Sequence, residues 1–181
     1  MTQDFTEKIA LLLLTGLLTG FLVPYILKKI EERKARQSKI IEAQSKFLDD
    51  FAQMLWKWRY MSIKVAYYAS TNNVDEYNSA KKHYELNIWE SFNQIRKEIS
   101  TSRRLISDAG FNELLSLYGY IVNLDKRISS LIVTGGLNET TRTNAKDIND
   151  FIYSDATEKL DKILDYLADE LRLKVANLKK S

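Results

Sequence analysis

The sequence has no cysteine, one proline, six glycines and a single histidine in 181 residues. Without cysteine there can be no disulfide, thiolate zinc site, iron–sulfur cluster or cysteine nucleophile. With only His83, a two-histidine metal site is excluded, and Ala80 stands where a Glu-x-x-His di-iron pair would need its carboxylate. No Gly-x-Ser-x-Gly, Walker or dinucleotide-binding loop occurs, and Gly135-Gly136 lacks the lysine and spacing of a phosphate cradle. The scarcity of proline and glycine leaves few places to turn, so long helices are expected rather than sheets. No stretch alternates apolar and polar residues for long enough to suggest a strand.

The one long segment without charge lies near the N-terminus, where 19 residues from Ile9 to Leu27 carry no ionisable group but Tyr25. At about 1.5 Å per residue they match the hydrocarbon thickness of a bilayer, and LLLLTGLLTGFLV shows no polar face. A signal peptide would have a basic start and a small-residue cleavage site; this N-terminus is acidic and leads instead into Pro24, Tyr25 and Lys28-Lys29. The segment is therefore expected to remain as a transmembrane anchor, with Pro24 kinking its exit. Gly16 and Gly20 form a G-x-x-x-G face on which a second helix could pack.

Charge is concentrated just after this run. Lys28, Lys29, Arg33, Lys34, Arg36 and Lys39 against Glu31 and Glu32 sum to +4, Asp4, Glu7 and Lys8 to −1, and the remainder from Ile40 onward is neutral. Lys28, Lys29, Arg33, Lys34 and Arg36 are the expected membrane-surface residues, attracted to anionic head groups. The excess of basic residues on this side sets the expected orientation, with the N-terminus outside and the soluble domain cytoplasmic. The neutral remainder argues against nucleic acid as a partner, because phosphate binding depends on a basic surface.

Apolar residues then recur at spacings of three and four in four segments. The first continues from the membrane to about Ala69 and breaks at Ser70-Thr71-Asn72-Asn73, where Asn72 or Asn73 can cap the next helix. The second runs from Val74 to about Ile106 and ends at Ser107-Asp108-Ala109-Gly110. The third spans Phe111 to about Val133, and the last about Thr143 to Leu178. The expected fold is all-α: one transmembrane helix followed by an antiparallel four-helix bundle with long first and last helices. Its divisions are an extracytoplasmic tail at 1–8, the transmembrane helix at 9–27, a basic juxtamembrane helix at 28–46 and the bundle at 47–181. Asn138-Glu139-Thr140 matches a glycosylation sequon, read as accidental in a cytoplasmic loop.

The segment FAQMLWKWRYMSIKVAYY, 51–68, is apolar nearly all round. Such a helix is buried on more than one side, either at the centre of its own bundle or against another chain. For the second use the candidates are Trp56, Trp58, Arg59, Tyr60 and Tyr67, residue types enriched where binding energy concentrates. Asp161, Asp165 and Asp169 share one face of the last helix and read as a solvated acidic stripe. No catalytic constellation and no cofactor or metal site emerges, so the expected role is that of a membrane-tethered interaction protein: a scaffold, an assembly factor or a subunit of a membrane complex. Its expected partner is a protein or a second copy. The alternative is a regulatory or sensory module that binds a ligand or lipid and signals along its long first helix.

Overall fold

The computed structural model describes Gly16 and residues 18–133 and 137–171. Among these the protein is all-helical, with no strand. A π-helical turn, Leu18–Leu22, leads into α1 (Val23–Ser70); α2 (Val74–Ser102), α3 (Asp108–Val133) and α4 (Glu139–Phe151) follow. A second π-helical turn, Ile152–Ala156, joins α4 without a break to α5 (Thr157–Glu170). Two compact units divide between Ala43 and Gln44.

In the first unit, α1 residues 23–43 are exposed throughout, including Lys28, Lys29, Arg33, Lys34 and Arg36. The π turn ends two residues before Pro24, which lacks the N–H that an α-helix would direct at the carbonyl of Gly20. Gly16 and Gly20 are exposed, and a methyl added at either would meet nothing within 4 Å. Among the described residues no helix is long and apolar enough to cross a membrane, and positions 9–15 and 17 of the expected span lie outside them.

In the second unit the helices form a bundle around the residues that the spacing selects. Phe51, Leu55, Trp58 and Val65 of α1 are fully enclosed. They meet Tyr84, Ile88, Phe92, Ile95 and Ile99 of α2, Leu114, Leu117, Ile121, Leu124 and Ile128 of α3, and Ile148, Ile152, Leu160 and Leu167 of the fourth helical stretch. Each such aliphatic or aromatic side chain removed from water contributes about 1.5–3 kcal/mol.

Cross-helix bonds fix the directions. Tyr77 donates to the carbonyl of Leu131 at 3.1 Å, Tyr84 to Asp125 at 2.6 Å, and Phe92 meets Tyr118 edge-on at 6.3 Å, so numbers rise along α2 as they fall along α3. Lys159 lies over the ring of Tyr120 at 4.4 Å and Arg127 over Phe151 at 4.8 Å, setting α3 antiparallel to α4 and α5 in the same way. Tyr77 and Lys81, the latter donating to the carbonyl of Ile132 at 3.2 Å, bind α2 to carbonyls in the last turn of α3.

The break expected at 70–73 is found, and the helix ends differ from the sequence expectation in two other places, each through capping. Between α1 and α2, Asn72 takes a left-handed φ of 57° and Asn73 caps α2 by accepting from the N–H of Glu76 at 3.3 Å. Ser107-Asp108-Ala109-Gly110, expected as a break, is instead the cap and first turn of α3: Ser107 accepts from the N–H of Gly110 at 3.2 Å, and α2 ends earlier, at Ser102. The fourth stretch starts at Glu139 rather than Thr143, because Asn138 accepts from the N–H of Thr141 at 2.8 Å; the sequon asparagine is a helix cap. The Gly135-Gly136 stop and the expected last turns beyond Leu171 lie outside the described residues.

The Glu170 carboxylate ties the end of α5 to the start of α3 by accepting the backbone N–H of Ser107. A methyl on Gly110 would stand 2.1 Å from one of its oxygens. Gly119, in mid-helix and exposed, has nothing within 4 Å of an added methyl. Gly119→Ala is therefore expected to stabilise the bundle by about 0.5–1 kcal/mol through helix propensity. Gly110→Ala should show no such gain, because it must displace the carboxylate from the Ser107 amide. Urea unfolding of both variants checks this; equal stabilisation would mean that the Glu170 tie contributes nothing.

Candidate functional site

The aromatic segment of α1 divides cleanly by exposure. Leu55, Trp58, Met61, Ser62, Ile63, Val65 and Ala66 are buried, so this part of the helix is enclosed on more than one side. Trp58, one of the candidates for partner contact, is turned wholly into the bundle core, and its indole N–H has no hydrogen-bond partner among the described residues. Tyr60 and Tyr67 are exposed at 58% and 46%, and Trp56 and Arg59 are half-buried. The outward face therefore comprises Trp56, Arg59, Tyr60 and Tyr67, with Lys64 lying 4.9 Å over the ring of Tyr60.

Arg59 is the most constrained residue of this face. Its guanidinium lies 5.3 Å from the ring of Trp56 and 5.4 Å from that of Tyr153, on the facing π turn. Its Nε donates to the Thr157 hydroxyl at 2.7 Å, and that hydroxyl donates in turn to the carbonyl of Ile152 at 2.8 Å. The Ile152 to Thr157 span is five residues, so the wider π turn lets the hydroxyl reach back along its own helix and present a lone pair to α1. No carboxylate among the described residues forms an ion pair with Arg59. Stacking and one directed bond fix its plane, and the terminal nitrogens of a flat, permanently charged fork stay available to a carboxylate or phosphate.

A second feature lies between α2 and α3. A groove of about 240 Å³ is lined by Tyr84, Ile88, Trp89, Phe92, Asp125 and Ile132 among others. Trp89 is 75% exposed and packs edge-on against Phe92 at 6.3 Å. Tyr84, almost wholly buried, donates to Asp125 Oδ1 at 2.6 Å. Burial pushes the Asp125 carboxyl above the usual carboxylate range, with the Tyr84 bond opposing it, and burial followed by the Asp125 partner pushes the Tyr84 hydroxyl far up.

His83 is exposed, as are Asp161, Asp165 and Asp169, and no group of three metal-ligating side chains occurs among the described residues. Two of the features above escaped the spacing argument. Tyr153 and Thr157 join Arg59 only because the π turn aligns them, although three successive steps of four between buried Ile148, Ile152, Ala156 and Leu160 are a readable sign of it. Trp89 stands one position off the Ile88 and Phe92 stripe, which is a readable sign of an exposed tryptophan.

No family model matches the chain, and no curated protein or solved structure is similar to it.

Proposed function

We propose that this is a membrane-anchored helical-bundle interaction protein, acting as a scaffold, assembly factor or subunit of a membrane complex. The uncharged run at 9–27 serves as its single anchor, the N-terminus faces outward and the bundle is cytoplasmic. The uncharged run and the six basic residues that follow it support the anchor and its direction. The observation that carries the contact surface is Arg59, half-buried, held by Thr157 and two rings, without an ion pair among the described residues, and bordered by exposed Tyr60 and Tyr153. A rigid arginine framed by aromatics is the composition of a binding hot spot, and its partner is a protein or a second copy. Catalysis has no part in this reading.

Two experiments test it. A photo-crosslinking amino acid at Tyr60 or Tyr67, in the full chain in its native membrane, should yield one discrete adduct, whereas the same probe at exposed Lys82 should not. No adduct at any position, with the protein extracted as a monomer, would remove the contact surface. Single cysteines at Thr2 and at Ser181, labelled on intact cells by an impermeant maleimide, report direction: labelling at Thr2 alone is expected, and labelling at Ser181 alone would put the bundle outside.

A second reading, a regulatory or sensory module that binds a ligand within the bundle, is favoured by the groove in which Tyr84 and Asp125 meet.

A further inference from the structure

We propose that the groove between α2 and α3 binds a small organic ammonium ion: a protonated amine carried on a short apolar body. The proposal rests on the ligand-binding half of the second reading and names the ligand's chemistry.

A carboxylate loses hydration when it is half-buried, and proteins normally offset this with a cation or several hydrogen bonds. Asp125 has only the Tyr84 hydroxyl on Oδ1; among the described residues neither a lysine nor an arginine forms an ion pair with it, and Oδ2 accepts no bond. Lys81 donates instead to the carbonyl of Ile132, a groove-lining residue, at 3.2 Å. The other ionisable group lining the groove, Glu85, is also acidic, so an anionic ligand is disfavoured and a cationic one favoured.

The walls narrow the class further. Ile88, Trp89, Phe92 and Ile132 are apolar or aromatic, which suits a hydrocarbon body more than a bare inorganic cation. The indole face of Trp89 is available to a cation, an attraction that strengthens as water is excluded. A volume of about 240 Å³ falls below the range of roughly 300–1,000 Å³ typical for drug-sized ligands, so the body must be small. An ammonium group at Asp125 Oδ2 with its body against Trp89 and Ile132 would supply the charge, the hydrogen bond and the apolar cover that the groove lacks.

The test uses the full chain in detergent and 2-phenylethylamine as the probe, with 2-phenylethanol as its uncharged counterpart and an acetylated lysine-containing peptide as the macromolecular one. Calorimetry should show one saturable site for the amine, with Kd on the order of 0.1–1 mM. Binding should weaken at least about tenfold for the alcohol and for Asp125→Asn, because each removes one member of a charge-assisted pair. Asp125→Asn keeps an acceptor for Tyr84, so it is expected to fold, and circular dichroism checks this. Trp89→Leu, at an exposed position, should weaken binding several-fold and serves as an independent variant.

Absence of saturation by the amine up to about 10 mM, equal binding of the alcohol, or unchanged affinity in Asp125→Asn would each overturn the proposal. Binding of the peptide without the free amine would overturn it in favour of a protein partner. Hydrogen exchange along α1 with and without amine separates the two halves of the second reading: binding without altered exchange removes signalling and leaves the ligand site standing.

Discussion

Deletion of Lys162 is expected to unfold the bundle, whereas deletion of Ser154, eight positions earlier on the same helical stretch, is expected to leave it folded. The difference comes from how the buried positions are spaced. In an α-helix each step of four residues overshoots a full turn by about 40°, and each step of three falls short by about 60°. Ile148, Ile152, Ala156 and Leu160 are separated by three fours in succession and would drift off the core by about 120°, yet all are buried. The π turn Ile152–Ala156 absorbs the drift by holding one extra residue. Removing exposed Ser154 takes away that residue and leaves steps of four, three and four, which an ordinary α-helix carries on one face.

Removing Lys162 has no such slack to consume. Every later residue rotates by about 100°, and Ile163, Leu167 and Leu171 leave the core. Their burial contributes roughly 5–9 kcal/mol, comparable with the whole stability of an ordinary domain. Thermal melts followed by circular dichroism should show a cooperative transition for the Ser154 deletion and none for the Lys162 deletion. Equal damage from both would mean that the π turn is not spare length.

The second large effect concerns three aromatic residues of one helical segment, Trp58, Tyr60 and Tyr67. Trp58→Ala should cost about 3–5 kcal/mol, because the indole is fully enclosed and its loss leaves a cavity. Tyr60→Ala and Tyr67→Ala, at exposed positions, should each stay within about 0.5 kcal/mol. Trp58→Phe should cost clearly less than Trp58→Ala: it keeps an aromatic body and deletes an indole N–H that has no partner among the described residues. Urea unfolding of the four variants checks the order. Loss of partner binding in Tyr60→Ala and Tyr67→Ala at unchanged stability would separate the contact face from the core within one segment.

Much of this was legible in the sequence. The spacing of apolar residues identifies the helices and their inward faces, because burial must repeat with the helical turn: Tyr84, Ile88, Phe92, Ile95 and Ile99 on α2, and Leu114, Leu117, Ile121, Leu124 and Ile128 on α3, are all enclosed. Helix ends were less legible, because a serine or asparagine that interrupts one helix and one that caps the next are the same residue type. Ser107 and Asn138 are settled by which amide each accepts, the first from Gly110 and the second from Thr141.

The aromatic segment marks the limit of the periodicity argument. An apolar circumference requires burial on several sides but does not say which aromatic faces inward, since that depends on where the neighbouring helices lie. The sequence by itself determined the helical class, the core stripes and the concentration of basic charge at 28–39, because each is a property of residues adjacent in the chain or one turn apart. Only the tertiary structure decided that Trp58 is core while Tyr60 is surface, that Arg59 meets Tyr153 and Thr157, and that Tyr84 donates to Asp125 in an apolar groove. These pairs lie 41 to 98 residues apart, and bonds across such separations arise from packing that no local spacing encodes.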